Sequence, residues 1–225
     1  ISRTSIKMSF SEVTLQLLGG FAYTLIIFLV TLAFSIPLGL VVAFGSMSKF
    51  KPLRYLTKGF VWVIRGTPLM LQIIVFSFGP GLWLDIPIRT TFQKLFMVCL
   101  AFVINYACYL SEIYRGGIES IPKGQYEACQ VLGMTKKQAF YKVILLQVIK
   151  RIVPPISNEI ITLVKDTSLA SVAISVDLIF VAEKLVNKYV ILWPLFYAGL
   201  FYLIFNGLIS YLLGKLERKL DYFRA

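Results

Sequence analysis

Long apolar stretches dominate this chain and restrict it to one class of fold. Hydrophobic residues make up 58% of the 225 residues, whereas soluble domains are about 45–50% apolar. An α-helix needs about 20 apolar residues to cross the hydrocarbon core of a bilayer. Stretches of that length cover residues 21–45, 56–84, 95–114, 156–176 and 189–213. We therefore predict an all-α, polytopic membrane protein with five transmembrane helices, forming a single transmembrane domain over residues 1–225.

Positive charge is distributed unevenly between the two sides of these spans. The net charge is +12, a value that on its own also suits nucleic-acid binding. Fifteen Lys and Arg residues lie within 46–58, 115–151 and 215–225, whereas six lie on the opposite side. Cytoplasmic loops of membrane proteins carry the excess of Lys and Arg. We therefore expect the N-terminus outside, the C-terminus in the cytoplasm, and no nucleic-acid partner.

The first twenty residues have the pattern of a short amphipathic helix. Ser9 and Glu12 match the S-x-x-E capping box that begins many helices. Phe10, Val13 and Leu17 recur at helical spacing, and Gly19-Gly20 follows them. The pattern predicts that residues 1–20 form an amphipathic helix on the outer leaflet, ending at the two glycines.

A long polar interruption covers residues 114–147. Pro122 suits the start of a helix, since its missing N–H would be unpaired there anyway. Gly133 suits the left-handed position that ends a helix. Thr135 and Gln138 match a T-x-x-Q capping box for a second helix. The interruption is therefore predicted to form two short helices, a surface on which a partner outside the membrane could dock.

The same interruption carries a family resemblance. Glu127 to Gly133 reads E-A-C-x-x-x-G and is followed by V-I-L-L at 143–146. This run is similar to the EAA signature of permease subunits of ATP-binding cassette importers. Four further segments resemble the polar amino-acid permease family and occur in its order: R-G-T-P at 65–68, E-I-Y-R-G-G-I at 112–118, I-P-K-G-Q at 121–125 and K-D-T-S-L at 165–169. Two positions depart from the family pattern: Cys129 replaces an alanine and Leu146 replaces a proline.

The resemblance implies a fold, partners and a coupling site. It implies a type I importer permease of the prokaryotic cytoplasmic (inner) membrane, in which residues 114–147 are the cytoplasmic coupling loop. It also implies separate ATPase subunits that use ATP and Mg²⁺, a second permease subunit and an extracytoplasmic substrate-binding protein. The residues placed at the ATPase contact are Gly124, Glu127, Ala128, Cys129 and Gly133. The sequence contains no phosphate-binding G-x-x-x-x-G-K-[ST] motif, so we expect a transport subunit that is not an enzyme and binds no cofactor.

Charged residues inside the predicted spans mark a candidate substrate path. Each costs about 2.5–3.5 kcal/mol on the insertion scale, so such residues face one another or a wet cavity. Glu159, Thr162 and Asp166 lie at i, i+3 and i+7, which is one face of a helix. Arg65 and Thr67 lie where Gly66 and Pro68 predict a broken second span. These five residues are the predicted substrate site.

The type of substrate follows from charge. Two carboxylates and one threonine suit a ligand cation, and the forked guanidinium of Arg65 suits a ligand carboxylate. We therefore expect a polar, cationic amino acid. Internal ion pairs, Arg65 with Glu159 or Lys165 with Asp166, are an open alternative.

Two other functions compete with this hypothesis. One is a membrane anchor or structural subunit of another complex, although the chain has no histidine for bis-histidine haem ligation. The other is an importer permease for a different small polar solute. The three cysteines form no metal-binding motif, and no metal site is expected.

Overall fold

The computed structural model describes residues 9–220, and all regular elements within that range are helices. The α-helices are α1 (Phe10–Ser46), α2 (Lys51–Gly66), α3 (Leu69–Trp83), α4 (Thr91–Glu119), α5 (Lys123–Val131), α6 (Lys136–Ala139), α7 (Leu145–Asp166), α8 (Leu178–Tyr189) and α9 (Trp193–Leu220). A π-helical turn, Phe140–Ile144, joins α6 to α7, and a 3₁₀ helix, Thr167–Val172, extends α7. The predicted all-α class is confirmed.

The first helix is longer than predicted. α1 continues through Gly19 and Gly20, so the expected end of a separate amphipathic helix at these glycines was wrong. The rest of that prediction, residues 1–8, lies outside the described residues. Gly20 is explained by packing: a Cβ there would lie 2.9 Å from the Leu178 Cα and 3.0 Å from the Asp177 carbonyl oxygen. The glycine therefore permits close approach of two backbones, a role that sequence spacing does not reveal.

The predicted break in the second span is present. α2 ends at Gly66 and α3 begins at Leu69, and Pro68 has an extended backbone with φ −62° and ψ 134°. Pro68 has no N–H to donate, which favours ending the helix here. The side chain of Gln72 donates hydrogen bonds to the Thr67 hydroxyl (2.8 Å) and carbonyl (3.2 Å). The broken backbone is therefore fixed by a nearby side chain.

The helices on both sides of the polar interruption also extend further than predicted. α4 ends at Glu119 instead of Tyr114, and α7 begins at Leu145, before Pro154 and Pro155. The helix that contains the predicted fourth span thus begins before these prolines, and the start of the span itself stays a prediction. Proline within a helix removes one hydrogen bond to the carbonyl a turn earlier, but here the helix continues on both sides of the pair.

Membrane-spanning character is clear for part of the fold. α1, α4 and α9 are long and apolar enough to cross a bilayer, and the bent pair α2–α3 adds a fourth span if it is one. α7 contains most of the fourth predicted span, and it carries several charged residues: Lys150, Arg151, Glu159, Lys165 and Asp166. The exact number of five spans stays a prediction.

The described chain divides into two compact units. The first contains the residues up to 33 with 67–104 and 162–208. Its core is formed by α1, α8 and α9 through Val13, Leu17, Leu178, Ala182, Leu185 and Ala198. Asp177 begins α8, and its Oδ2 accepts a hydrogen bond from the Ile179 N–H at 3.1 Å.

The second unit contains residues 34–66, 105–161 and those from 209 onward. Here α1 packs closely against α4, because a Cβ at Gly39 would lie 3.0 Å from the Ala107 carbonyl oxygen. The Tyr114 hydroxyl donates to the Ile36 carbonyl at 3.3 Å. The last turns of α4, the first turns of α7 and the short helices between them all lie within this unit.

Candidate functional site

The polar interruption folds into a helical hairpin, α5–α6, whose turn is built by local hydrogen bonds. Gly133 has φ +68°, a conformation that costs other L-residues energy. The Met134 N–H donates to the Cys129 carbonyl (3.0 Å) and the Gly133 N–H to the Gln130 carbonyl (2.9 Å). This pair of bonds is the Schellman motif. It confirms the predicted helix end at Gly133.

The second helix of the hairpin begins with the predicted capping box. The Gln138 N–H donates to the Thr135 hydroxyl at 3.3 Å, and the Thr135 N–H donates to the Gln138 side chain at 2.9 Å. α6 then passes through the π-helical turn into α7. Leu146 lies inside α7, so the chain goes through this region as continuous helix without the proline that the family pattern has there.

The exposed face of the hairpin is partly polar and partly apolar. Gly124, Glu127, Ala128 and Gly133 are exposed, as a docking surface requires. Cys129 differs, because its side chain is 3% exposed; within this chain it packs inward, and the expectation that it contacts an ATPase is not supported. Sequence reasoning missed Val131 and Leu132, which are 88% and 76% exposed. Exposed apolar groups of this size typically mark protein–protein contacts.

α7 is helical through the three predicted substrate residues that it carries. Glu159 and Asp166 are half-buried and Thr162 is exposed, and helical geometry gives them one common face. Lys165 is exposed and lies one residue, or about 100°, from Asp166 around the helix. The pattern expected from the sequence is therefore present on α7.

Arg65 has a partner that the sequence analysis did not name. Its guanidinium lies 3.7 Å from the Glu112 carboxylate of α4 and stacks over the Tyr109 ring at 5.0 Å. Arg115 also binds Glu112, at 2.5 Å and 3.1 Å, and reaches Glu119 at 2.7 Å. A chain of ion pairs therefore connects the end of α2 with the last turns of α4.

These ion pairs border a groove of about 400 Å³ lined by Lys58, Trp62, Arg65, Glu112 and Arg115, among others. Arg65 is 42% exposed on its side chain, so it can still meet an anionic group in this groove. Among residues 9–220, no cluster of His, Cys, Asp or Glu is placed to hold a metal ion.

Comparison with known proteins decides the family. Residues 35–222 match the model of the binding-protein-dependent transport system inner membrane component. The chain belongs to this permease family. The L-cystine transport system permease protein TcyB of Bacillus subtilis (strain 168) is 36% identical over 210 residues, 92% of this chain and 87% of that protein. The arginine transport system permease protein ArtQ of the same organism is 34% identical over 207 residues, 91% and 92% of the two chains.

A solved structure agrees with the family assignment. The permease resembles a chain in the crystal structure of an amino acid ABC transporter with histidines, with a TM-score of 0.83 and 28% identity. The match covers 97% of this chain and all of that one. The permease is therefore a transport subunit of an ABC importer, and ATP hydrolysis belongs to a partner subunit.

The sequence analysis missed Glu112 and Arg115, although the sequence of this permease contains a signal for their ion pair. Glu112 and Arg115 are spaced i, i+3 and both lie in the E-I-Y-R-G-G-I segment. Glu112 falls within the predicted third span, where a carboxylate requires a partner. That requirement could have identified it as an ion-pair residue, although spacing does not say which cation it meets.

Proposed function

We propose that this permease docks its ATPase through the exposed face of the α5–α6 hairpin. The observation that carries the proposal is the exposed apolar pair Val131 and Leu132 beside Glu127 and Ala128. A groove on a partner can accept the small Ala128 side chain, while the two apolar residues bury surface against it. The Schellman turn at Gly133 fixes the angle of this face.

A charge reversal tests the docking face without disturbing the fold. Glu127→Arg places a cation on the exposed face of α5, whereas Glu183→Arg makes the same change on the exposed surface of α8. Co-purification of the ATPase with each variant is the measurement. We expect Glu127→Arg to lose the ATPase and Glu183→Arg to retain it; equal retention would contradict the docking proposal.

We also propose that the transported solute is a polar, cationic amino acid. The related permeases named above serve amino-acid transport systems, which supports the amino-acid class. Glu159, Thr162 and Asp166 share one face of α7, which suits a ligand cation. Arg65 pairs with Glu112, and its side chain is 42% exposed, so its guanidinium can also meet a ligand carboxylate. Thr67 and Arg65 then bind the α-carboxylate of the amino acid.

Uptake by the complete importer separates cationic from neutral substrates. Losing one desolvated charge pair through Glu159→Gln or Asp166→Asn should cost about 2–5 kcal/mol in binding arginine or lysine. Uptake of neutral amino acids should change much less, and Glu183→Gln on α8 is the matched control. Normal arginine and lysine uptake by both variants would make these carboxylates structural and leave the importer function unaffected.

We further propose the assembly and its orientation. A second permease subunit completes the path, and an extracytoplasmic binding protein delivers the solute. The excess of Lys and Arg around the hairpin and at the C-terminal end of α9 supports a cytoplasmic position for both. A cysteine introduced at 46–54 should then react with an impermeant thiol reagent from the cytoplasmic face, and one at 86–92 from outside. The reverse labelling pattern would overturn this orientation.

A further inference from the structure

Two hydrogen bonds connect the residue after α4 and the first turn of α5 to the first turns of α7. Arg151 Nη1 donates to the Ser120 carbonyl, and Gln147 Nε2 donates to Gln125 Oε1 at 2.9 Å. Ser120 directly follows α4, so its carbonyl lies among the unpaired groups of a helix C-terminus. Gln147 and Arg151 are spaced i, i+4 and share one face of α7. One bond therefore ties the end of α4 to α7, and the other ties the first turn of α5 to α7.

Apolar packing fills the space between these two bonds. Ile121, the residue after Ser120, is buried with Ile144 and Val148 in one cluster. One helical turn along, α4 and α7 are in close contact, because a Cβ at Gly117 would collide with the Ile152 side chain. Side chains packed this tightly resist small displacements. The link between α4 and α5 and the first turns of α7 are therefore packed tightly against each other.

α7 also carries the predicted substrate residues. The helix runs from Leu145 to Asp166, and the rise from Arg151 to Glu159 is about 12 Å at 1.5 Å per residue. Pro154 and Pro155 lie between these two positions and have no N–H to donate to the carbonyls a turn earlier. The same helix is thus held by the hairpin at one end and presents Glu159 further along.

We propose that Arg151, supported by Gln147, is the positioning residue that transmits hairpin movement into α7. The proposal rests on the docking function proposed above. Arg151 is exposed, so its bond to Ser120 contributes little to stability. Its contribution is directional: the guanidinium ties the end of α4 to α7, so that a displacement of α5 is delivered to the helix that carries Glu159.

The experiment compares transport with ATP hydrolysis in proteoliposomes of the complete importer. In Arg151→Gln, solute uptake per ATP hydrolysed should fall about fivefold or more. A factor of this size corresponds to a typical coupling free energy between two sites. Basal ATP hydrolysis and ATPase co-purification should stay within about twofold, since an exposed bond is lost. Arg151→Lys should recover part of the ratio, because an ammonium can still donate to the Ser120 carbonyl.

Matched variants make each outcome decisive. Lys142→Gln removes an exposed cation from the π-helical turn and should leave uptake per ATP unchanged. Gln147→Ala should lower the ratio in the same direction as Arg151→Gln, by a smaller factor. An unchanged ratio in Arg151→Gln overturns the inference, and so does loss of the ATPase from it, since that result assigns Arg151 to docking. The docking function itself fails if the ATPase still co-purifies with Glu127→Arg, and that result is independent of the uptake ratio of Arg151→Gln.

Discussion

Two helix starts in this permease use the same local chemistry in opposite surroundings. Thr135 begins α6 on the exposed hairpin, and both halves of its capping box are paired. Asp177 begins α8 with a similar bond to the Ile179 N–H, but its side chain is fully buried. Its Oδ1 has no hydrogen-bond partner among residues 9–220. A cap read from sequence therefore gives the helix start but not the electrostatic cost of the capping group.

The largest effect is expected at Asp177. Burial raises the pKa of its carboxyl from the ordinary 3.8 to about 7, and the neighbouring Glu183 acts in the same direction. Between these values the folded state binds the proton more tightly, so stability falls as pH rises from about 4 to 7 and then levels off. Across that window the loss is on the order of 4 kcal/mol.

Thermal unfolding of purified wild type and Asp177→Asn at pH 5, 6, 7 and 8 measures this loss. The amide cannot ionise and keeps an oxygen for the Ile179 N–H, so the variant should gain on wild type as pH rises. Glu183→Gln, on the exposed side of α8, removes only the smallest cause of the raised Asp177 pKa, so its pH profile should have the wild-type shape with a slightly smaller loss. Parallel profiles for wild type and Asp177→Asn would show that the carboxyl is not buried as described.

Glu112 is intermediate between the exposed Thr135 cap and the fully buried Asp177 cap, because it is half-buried and paired with two arginines. Removing its charge by Glu112→Gln leaves Arg65 and Arg115 without their shared carboxylate. Exposed pairs contribute under about 1 kcal/mol and broken buried pairs cost about 3–5 kcal/mol. We therefore expect a loss near 2 kcal/mol in the free energy of unfolding.

Glu119→Gln is the control for this loss. Glu119 pairs with Arg115 at 2.7 Å, and its side chain is 54% exposed. The expected change is below about 1 kcal/mol. If denaturation midpoints of the two variants shift equally, burial does not set the strength of this network.

The same contrast explains what the sequence could predict. Gly133, Thr135 and Gln138 were assigned correctly because each acts on residues a few positions away, where capping rules apply. The break at Pro68 follows from its missing N–H. Gly20 was misread because a distant backbone, that of Asp177 and Leu178, decides its role.

The residues of the candidate site show the same difference between local and distant determinants. Helical spacing alone places Glu159, Thr162 and Asp166 on one face of α7. The partner of Arg65 could not be predicted, because any carboxylate brought near it by the fold would satisfy the same charge. Glu159 was the predicted ion-pair partner of Arg65, whereas the fold places Glu112 of α4 beside it.

The smallest effects are expected on the exposed hairpin, where two glycines should respond with opposite signs. A Cβ at Gly133 or at Gly124 meets no atom within 4 Å, so steric collision affects neither substitution. Gly133 has φ +68°, and Gly133→Ala should cost about 1 kcal/mol because an L-residue is strained there. Gly124 lies inside α5, where Gly124→Ala should gain up to about 1 kcal/mol from helix propensity. Apparent Tm values should therefore move in opposite directions. If both substitutions shifted Tm in the same direction, contacts beyond the local backbone would control the stability of this hairpin. The hairpin would then resemble the Asp177 cap, whose stability depends on its buried surroundings.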